Sequence, residues 1–179
     1  MQITIKLTGD PGQTLTADLC DEHEDAHVIS GPFINYGDRP ACMGPVDVIS
    51  TDDDNSLVSA ALKEAGDNRI LLVDNGGSTA CAMVGGDLAR HAHDNGWQGI
   101  IVNGAVRDVV ELRDVPIAIF ALATCPRKSR KRGIGVRGEP IDFAGTTVRR
   151  DDVVAADPDG VIIISAAGHE TARNEGAKP

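Results

Sequence analysis

Ile70-Leu71-Leu72-Val73-Asp74-Asn75-Gly76-Gly77 and Gly99-Ile100-Ile101-Val102-Asn103-Gly104 decide the fold. In each, a short uncharged run, too short for a stable helix, ends at Asn and Gly. That pattern reads as a strand buried on both faces and stopped by a turn. The two runs lie about one βαβ repeat apart, so they are neighbouring parallel strands of an α/β sheet. Both glycine turns then fall on one edge of the sheet, where α/β proteins hold their ligands.

Between the strands, a helix is expected from near Asp87 to Asn95-Gly96, with Leu88, Ala89 and Ala92 on its apolar face. Upstream, Leu57, Val58, Ala61, Leu62 and Ala65 form one stripe of a helix over 55–65, with Asp54 or Asn55 able to cap it and Gly66 able to end it. Further back, 16–25 reads as a short polar helix, His27-Val28-Ile29 as a strand, and Met43 to Ile49 as a strand alternating around Pro45 and Asp47. Downstream the pattern turns to β. Val115 to Ala123 is a strand candidate, Ile141 to Val148 alternates, Val153 to Ala155 is short, and Asp157-Pro158-Asp159-Gly160 is a turn into Val161-Ile162-Ile163-Ile164. No linker or break in composition divides residues 1–179, so one α/β domain is expected, with its core over about 15–165 and a mobile tail over about 166–179.

Only five of the 179 residues are aromatic and 20 are glycine, so the core must be built from Val, Ile, Leu and Ala. With 41% hydrophobic and 25% charged residues, disordered, collagen-like and coiled-coil chains are excluded. The formal charge of −10 is the wrong sign for a protein whose whole surface grips nucleic acid. The longest apolar run, Ile117 to Ala123, is far short of a membrane span, and Met1 to Lys6 lacks the apolar stretch of a signal peptide. A soluble, cytoplasmic protein is expected. Cys20, Cys42, Cys81 and Cys125 form no Cys-x-x-Cys pair and read as reduced, mostly buried thiols. His91 and His93 fall on different faces of a helix, while His23, His27 and His169 lie near the ends, so no histidine metal cage is expected.

Three segments can carry chemistry. Gly85-Gly86-Asp87-Leu88 opens a helix whose free N–H groups can cradle a carboxylate or phosphate. The commoner alternative makes Asp87 an N-cap and the glycines mere turn residues. Gly104-Ala105-Val106-Arg107-Asp108 follows a buried strand. Arg107 can clamp a carboxylate or meet a developing oxyanion, and Asp108 can hold a hard cation such as Mg²⁺, which often takes one protein carboxylate plus waters. Alternatively, Arg107 is a surface residue beside an Asp that caps a short helix around Val109 to Leu112. Arg127-Lys128-Ser129-Arg130-Lys131-Arg132 can touch RNA or an acidic partner, but it has no interleaved aromatics and reads better as a solvated loop. The G-x-G-x-x-G spacing of a dinucleotide fold is absent at both glycine turns.

Thr16-Ala17-Asp18-Leu19-Cys20-Asp21, Asp54-Asn55-Ser56-Leu57-Val58, Val73-Asp74-Asn75-Gly76-Gly77, Gly85-Gly86-Asp87-Leu88-Ala89 and Gly104-Ala105-Val106-Arg107-Asp108 occur in that order. With Pro126-Arg127-Lys128-Ser129 and Ala156-Asp157-Pro158-Asp159-Gly160-Val161, the set resembles the RraA-like family over roughly residues 15 to 165. That family contains regulator of ribonuclease E activity A and the 4-hydroxy-4-methyl-2-oxoglutarate aldolases. The resemblance implies a compact α/β/β domain of the swivelling type, assembled as a ring-shaped homotrimer that can pair into hexamers, with sites between subunits. It also implies a metal-dependent aldolase that releases pyruvate and commonly decarboxylates oxaloacetate. By that resemblance the amides of Gly85, Gly86, Asp87 and Leu88 bind substrate carboxylate, Arg107 contacts substrate and the enolate oxygen, and Asp108 binds Mg²⁺ (or Mn²⁺). The regulator branch lacks the acid after this Arg, so Asp108 puts the chain nearer the aldolases. Longer aldolases bring a C-terminal Glu into the neighbouring subunit's site, a role for which only Glu170 and Glu175 are at hand here.

Carbon–carbon cleavage beside a 2-oxo group needs an electron sink, either a Schiff-base lysine or a metal. Of the five lysines, Lys128 and Lys131 sit in the basic run, Lys63 on a helix's polar side, and Lys6 and Lys178 near the ends. None follows a buried strand into the glycine-rich edge, which favours the metal. The expectation is a divalent-metal lyase that cleaves 4-hydroxy-4-methyl-2-oxoglutarate-type acids by retro-aldol reaction, with oxaloacetate decarboxylase side activity. Its partners are a small 2-oxo dicarboxylic acid and its own copies, with no membrane or nucleic acid. The alternative is a non-catalytic regulator that binds and inhibits a ribonuclease E-type enzyme. A methyltransferase label is sometimes attached to this family, but no cofactor-binding feature supports it in this sequence.

Overall fold

The computed structural model describes residues 16–166. In chain order the elements are α1 (Thr16–Glu22), β1 (His27–Val28), β2 (Ile34–Asn35), β3 (Cys42–Ser50), α2 (Ser56–Ala61), β4 (Ile70–Asp74), β5 (Ala82–Val84), α3 (Gly86–Asp94), β6 (Gly99–Val106), α4 (Val109–Leu112), β7 (Ala118–Thr124), β8 (Val136–Arg137), β9 (Ile141–Phe143), β10 (Thr146–Val148), β11 (Val153–Asp157) and β12 (Gly160–Ile164).

Four parallel strands, in the order β3-β4-β6-β7, form the centre of the molecule, and Ile70–Asp74 runs beside Gly99–Asn103 as expected. Each connection crosses in the same direction with the same hand, so α2, α3 and α4 all lie on one face. Period-two alternation divides the apolar residues between two cores. Ile49, Leu71, Val73, Ile100, Val102 and Ile119 pack under the helices, against Val58, Leu62, Ala89, Ala92 and Leu112. Val46, Val48, Ile70, Leu72, Ile101 and Phe120 point the other way, onto Ile141, Phe143 and Val148 and onto Val154, Val161 and Ile163. That second face is covered by strands because β3 belongs to both layers. Its second half runs parallel to β4, while Cys42–Pro45 pairs antiparallel with β11, which continues to β12 and β1. The outer side of β11 and β12 is closed by α1 through Leu19. Buried Asp157 accepts from the backbone N–H and the hydroxyl of Thr16 at 2.7 and 2.8 Å. The result is the α/β/β architecture.

Several elements depart from the sequence reading. Helix α2 stops at Ala61 rather than at 65, and Ala65 is exposed. The chain tightens into i→i+3 bonds at Lys63 and Glu64, and Gly66 is pressed so close to Trp97 that a Cβ would lie 2.6 Å from its ring. Asn103-Gly104 does not stop β6. The strand continues to Val106 across a register shift against β7, and Gly104 lets the 75–78 turn approach, since a Cβ would meet Ser78 O at 3.1 Å. The alternating run 141–148 is a hairpin, β9–β10, because Ala144 and Gly145 both take positive φ, as a two-residue turn requires. Strands β2, β5 and β8 are two or three residues long and leave no periodic signal. The expected mobile tail lies, beyond Ala166, outside the described residues. No helix among the described residues is long and apolar enough to cross a membrane.

Asp47, the polar residue inside β3, is buried at 1% exposure. It accepts from Arg137 Nε and Nη2 at 3.1 and 2.8 Å and from the N–H of Val48 at 3.0 Å. Removing the cation would strand a buried charge, so Arg137→Met should destabilise the protein by about 2–3 kcal/mol in urea unfolding, discounted for the partial exposure of Arg137. Adding Asp47→Ala to that variant should recover part of the loss, because the stranded charge is then gone.

Candidate active site

Strand β5 runs parallel to β6, and the N–H of Arg107 donates to Val84 O at 3.0 Å. This brings the turn before α3 alongside the turn after β6. Gly85 is the N-cap residue of α3 and has no side chain with which to cap that end. The first intrahelical bond runs from Ala89 N–H to Gly85 O, so the N–H groups of Gly86, Asp87 and Leu88 have no acceptor within the helix. Gly86 N–H is taken by Asp108 Oδ2 at 3.2 Å, and the same oxygen lies 3.5 Å from Arg107 Nε. The approach is too close for side chains: a Cβ on Gly85 would sit 2.5 Å from Asp108 Oδ2, and one on Gly86 2.3 Å from Glu111 Oε2. Asp108 itself is left-handed, at φ +60, and starts α4 without capping it through its side chain. Asp108 is thus the N-cap residue of α4 by position, without a side-chain capping bond, while Asp87 is not an N-cap. Asp108 turns back to α3, and exposed Asp87 pairs with Arg90 at 2.5 Å, which also reaches Glu111 at 3.0 Å.

The two turns open into a cleft of about 480 Å³. Gly85, Asp87, Leu88, Arg107 and Asp108 line it, while buried Gly86 does not. Asn55, Ser59 and Lys63 enter from α2 and its ends, His91 from α3, and Lys128, Ser129 and Lys131 from the segment after β7. Asn55 Oδ1 and Ser129 Oγ are buried on this wall with no hydrogen-bond partner among the described residues, which suits a polar occupant.

These additional residues bear on two expectations. The basic run is an exposed loop, as expected, but its backbone is tied down: Arg127 O accepts from Ala82 N–H at 2.8 Å, Arg130 N–H donates to Asp53 O at 3.1 Å, and Arg132 N–H donates to Asp54 Oδ2. The elimination of lysines fails, since Lys63, Lys128 and Lys131 all reach the cleft. Spacing in sequence does not show that the chain after β7 turns back along β5. All three are exposed, whereas a Schiff-base lysine works from a desolvated pocket. They suit a site that attracts anions.

Asp54, fully buried, holds the basic segment in place. Its carboxylate also accepts from the N–H of Ser56 at 2.8 Å, the bond that starts α2. Burial alone would raise its pKa, but donors from Ser56, Arg132 and Ile134 outweigh this and pull it down to about 2. Hydrogen bonds from Asn75 and then Ser78 hold Asp53 below its ordinary value as well. Two of the four thiols are buried, Cys42 and Cys81, and burial pushes them up to about 12 and about 11. His91 and His93 do face apart, the first into the cleft and the second into a recess beside Glu111.

No group of three or more His, Cys, Asp or Glu side chains placed to hold a metal occurs among the described residues. Asp108 suits a different kind of site. Its Oδ2 is engaged, no described residue bonds its Oδ1, and its side chain is 37% exposed on the cleft. A hard, largely hydrated Mg²⁺ needs no more than that from the protein. Glu170 and Glu175 lie outside the described residues.

The fold and site define a three-layer α/β/β protein with a polar, anion-attracting cleft at the carboxyl edge of its parallel sheet. The chain belongs to the RraA-like family, whose sequence model, described as Aldolase/RraA, matches residues 16–163. A relative from Burkholderia mallei (strain SAVP1), provisionally named 4-hydroxy-4-methyl-2-oxoglutarate aldolase, is 46% identical over 154 residues, covering 83% of this chain and 93% of the relative. The structure of the RNA-processing inhibitor RraA from Thermus thermophilis matches with a TM-score of 0.82 at 37% identity, covering 89% of this chain and 99% of that one. A Geobacillus kaustophilus HTA426 structure, described as an S-adenosylmethionine:2-dimethylmenaquinone methyltransferase, matches with a TM-score of 0.83 at 36% identity, covering 87% of this chain and 97% of that one.

Because the Asp54 pKa falls on folding, its contribution to stability is complete above pH ~4 and is lost as pH drops through about 2. Asp54→Asn should therefore unfold at lower urea than wild type at pH 7, and the gap between the two midpoints should close between pH 4 and 2.

Proposed function

We propose that the protein is a divalent-metal-dependent lyase that releases pyruvate from 2-oxo dicarboxylic acids, by retro-aldol cleavage of 4-hydroxy-4-methyl-2-oxoglutarate-type substrates and by decarboxylation of oxaloacetate. The observation that carries this reading is the contact of Asp108 with the N-terminus of α3, beside Arg107 and in one cleft with two unengaged helix amides. The aldolase name of the Burkholderia relative supports it.

On this reading the substrate's 1-carboxylate sits on the N–H groups of Asp87 and Leu88, where helix amides favour an anion. The 2-oxo oxygen then faces Arg107, whose Nη groups bond no described residue and are free to donate. When the carbon–carbon bond breaks, negative charge grows on that oxygen, and a guanidinium fixed beside it stabilises the charge more than the ground state. Lys63, Lys128 and Lys131 provide the positive wall for the distal carboxylate. Asp108 would hold Mg²⁺ (or Mn²⁺), which supplies a Lewis acid for the electron pair leaving the broken bond. Retro-aldol cleavage also needs a base at the 4-hydroxyl, and Asp87 and His91 are proton-accepting groups on the same wall. A ring-shaped homotrimer in the cytoplasm completes the proposal, and sedimentation tests its assembly.

The test is pyruvate release from both substrates with Mg²⁺ and with EDTA. Turnover should vanish in EDTA and return with Mg²⁺. Arg107→Met and Asp108→Asn should each lose on the order of 100-fold or more in kcat. Turnover that persists in EDTA, or survives Asp108→Asn, would contradict the metal-dependent route. The 37% identical RraA structure favours one other reading, a ribonuclease regulator. A folded, metal-loaded oligomer that turns over neither substrate would decide for testing that reading.

A further inference from the structure

Residues 128–132 form an extended ribbon, bridged to Ala82 at Lys128 and to Asp54 at Arg130. Side chains of an extended segment alternate between faces. Ser129 and Lys131 line the cleft, whereas Arg127, Arg130 and Arg132 line a second recess of about 260 Å³, and Lys128 lies on the edge between the two and lines both. Asp52 and Asp53 also line it, so four cations meet two carboxylates. One of those carboxylates is already engaged: Asp53 Oδ1 accepts from Asn75 Nδ2 at 3.0 Å and from Ser78 Oγ at 2.8 Å.

None of the four cations forms an ion pair with a described carboxylate. The Arg132 guanidinium donates only to the backbone O of Asp52, at 3.3 Å. Arg69, Arg90, Arg107 and Arg137 have carboxylate partners, whereas Arg39 and Arg113, which line no recess with other cations, have none among the described residues. Asp53 feels the charge of Arg130, but four cations against two carboxylates leave the recess net positive, a charge that an anion can offset. Backbone bonds at Arg127 and Arg130 tie them to β5 and Asp53, which reduces the ordering cost of gripping a ligand. Guanidinium forks match tetrahedral oxyanions, which they bind through paired hydrogen bonds.

We propose that this outer recess is a binding site for a multiply charged phosphate group, separate from the cleft and on the opposite face of the same ribbon. Calorimetric titration at constant ionic strength, without divalent metal, tests it. Inorganic pyrophosphate and the phosphate ester glycerol 3-phosphate serve as probes, and the tighter of the two indicates whether a free phosphate or an esterified one is preferred. Wild type should bind an anion at the recess in addition to any that the cleft takes. Arg127→Gln/Arg130→Gln should weaken binding roughly tenfold or more, the loss expected for charge-assisted hydrogen bonds. Lys131→Gln, on the cleft face, should leave it within about twofold, since a side chain outside the recess adds little to its hydrogen bonding. If the double variant does not fold, Arg130→Gln alone takes its place. Binding of neither probe, unchanged affinity in the arginine variant, or an equal loss in Lys131→Gln would overturn the proposal. The readout involves no turnover, so the site stands or falls apart from the lyase reading.

Discussion

The side chains of Asp108 and Glu111 can close on the start of α3, at the carboxyl edge of this sheet, because residues 85 and 86 have no side chains of their own. A Cβ on Gly85 would lie 2.5 Å from Asp108 Oδ2, and one on Gly86 2.3 Å from Glu111 Oε2. That contact joins two units of the fold, the end of β6 and the start of α3. It also decides which helix amides are engaged. One goes to Asp108, and those of Asp87 and Leu88 face the cleft without an intrahelical acceptor. The left-handed backbone of Asp108 belongs to the same arrangement, since it turns the carboxylate towards α3 rather than along α4.

The other wall of the cleft depends on a different carboxylate. Asp54 bonds both the first turn of α2 and the backbone of the basic segment, and so holds Asn55 and Ser59 in one cleft with Ser129 and Lys131. The cost of burying its charge is met by several donors, the condition under which a buried carboxylate stays ionised. An acidic protein thereby gathers Lys131 on one side of the ribbon and three arginines on the other, with Lys128 bordering both. On the proposed reading the first group attracts a dicarboxylate substrate and the second a phosphate.

Much of this was legible in the sequence, for identifiable reasons. Strands β4 and β6 declared themselves as apolar runs followed by Asp74-Asn75-Gly76-Gly77 and by Asn103-Gly104, and α3 by its apolar face and its closing Asn95-Gly96. Arg107 and Asp108 stood out because they follow a buried strand. What sequence spacing could not convey was contact between distant segments. The return of residues 127–132 along β5 is made by backbone hydrogen bonds, which leave no mark in residue type. Hence Lys63, Lys128, Lys131, Asn55 and Ser129 were not recognised as cleft residues. The cue available was the pairing of acidic Asp52-Asp53-Asp54 with the basic run, a long-range complement that periodicity does not detect. Asn103-Gly104 misled for a related reason: a glycine that admits a neighbouring turn looks in sequence like a glycine that ends a strand.

The central claim is that the α3 amides, Arg107 and Asp108 act on one small acid. The most direct test is a crystal structure of the full chain with Mg²⁺ and oxalate, a planar stand-in for the enolate of pyruvate. The account predicts an oxalate carboxylate on the N–H groups of Asp87 and Leu88, an oxygen against Arg107, and the cation beside Asp108. Oxalate and cation bound elsewhere in the chain, with Asp108 still turned only to Gly86, would contradict it.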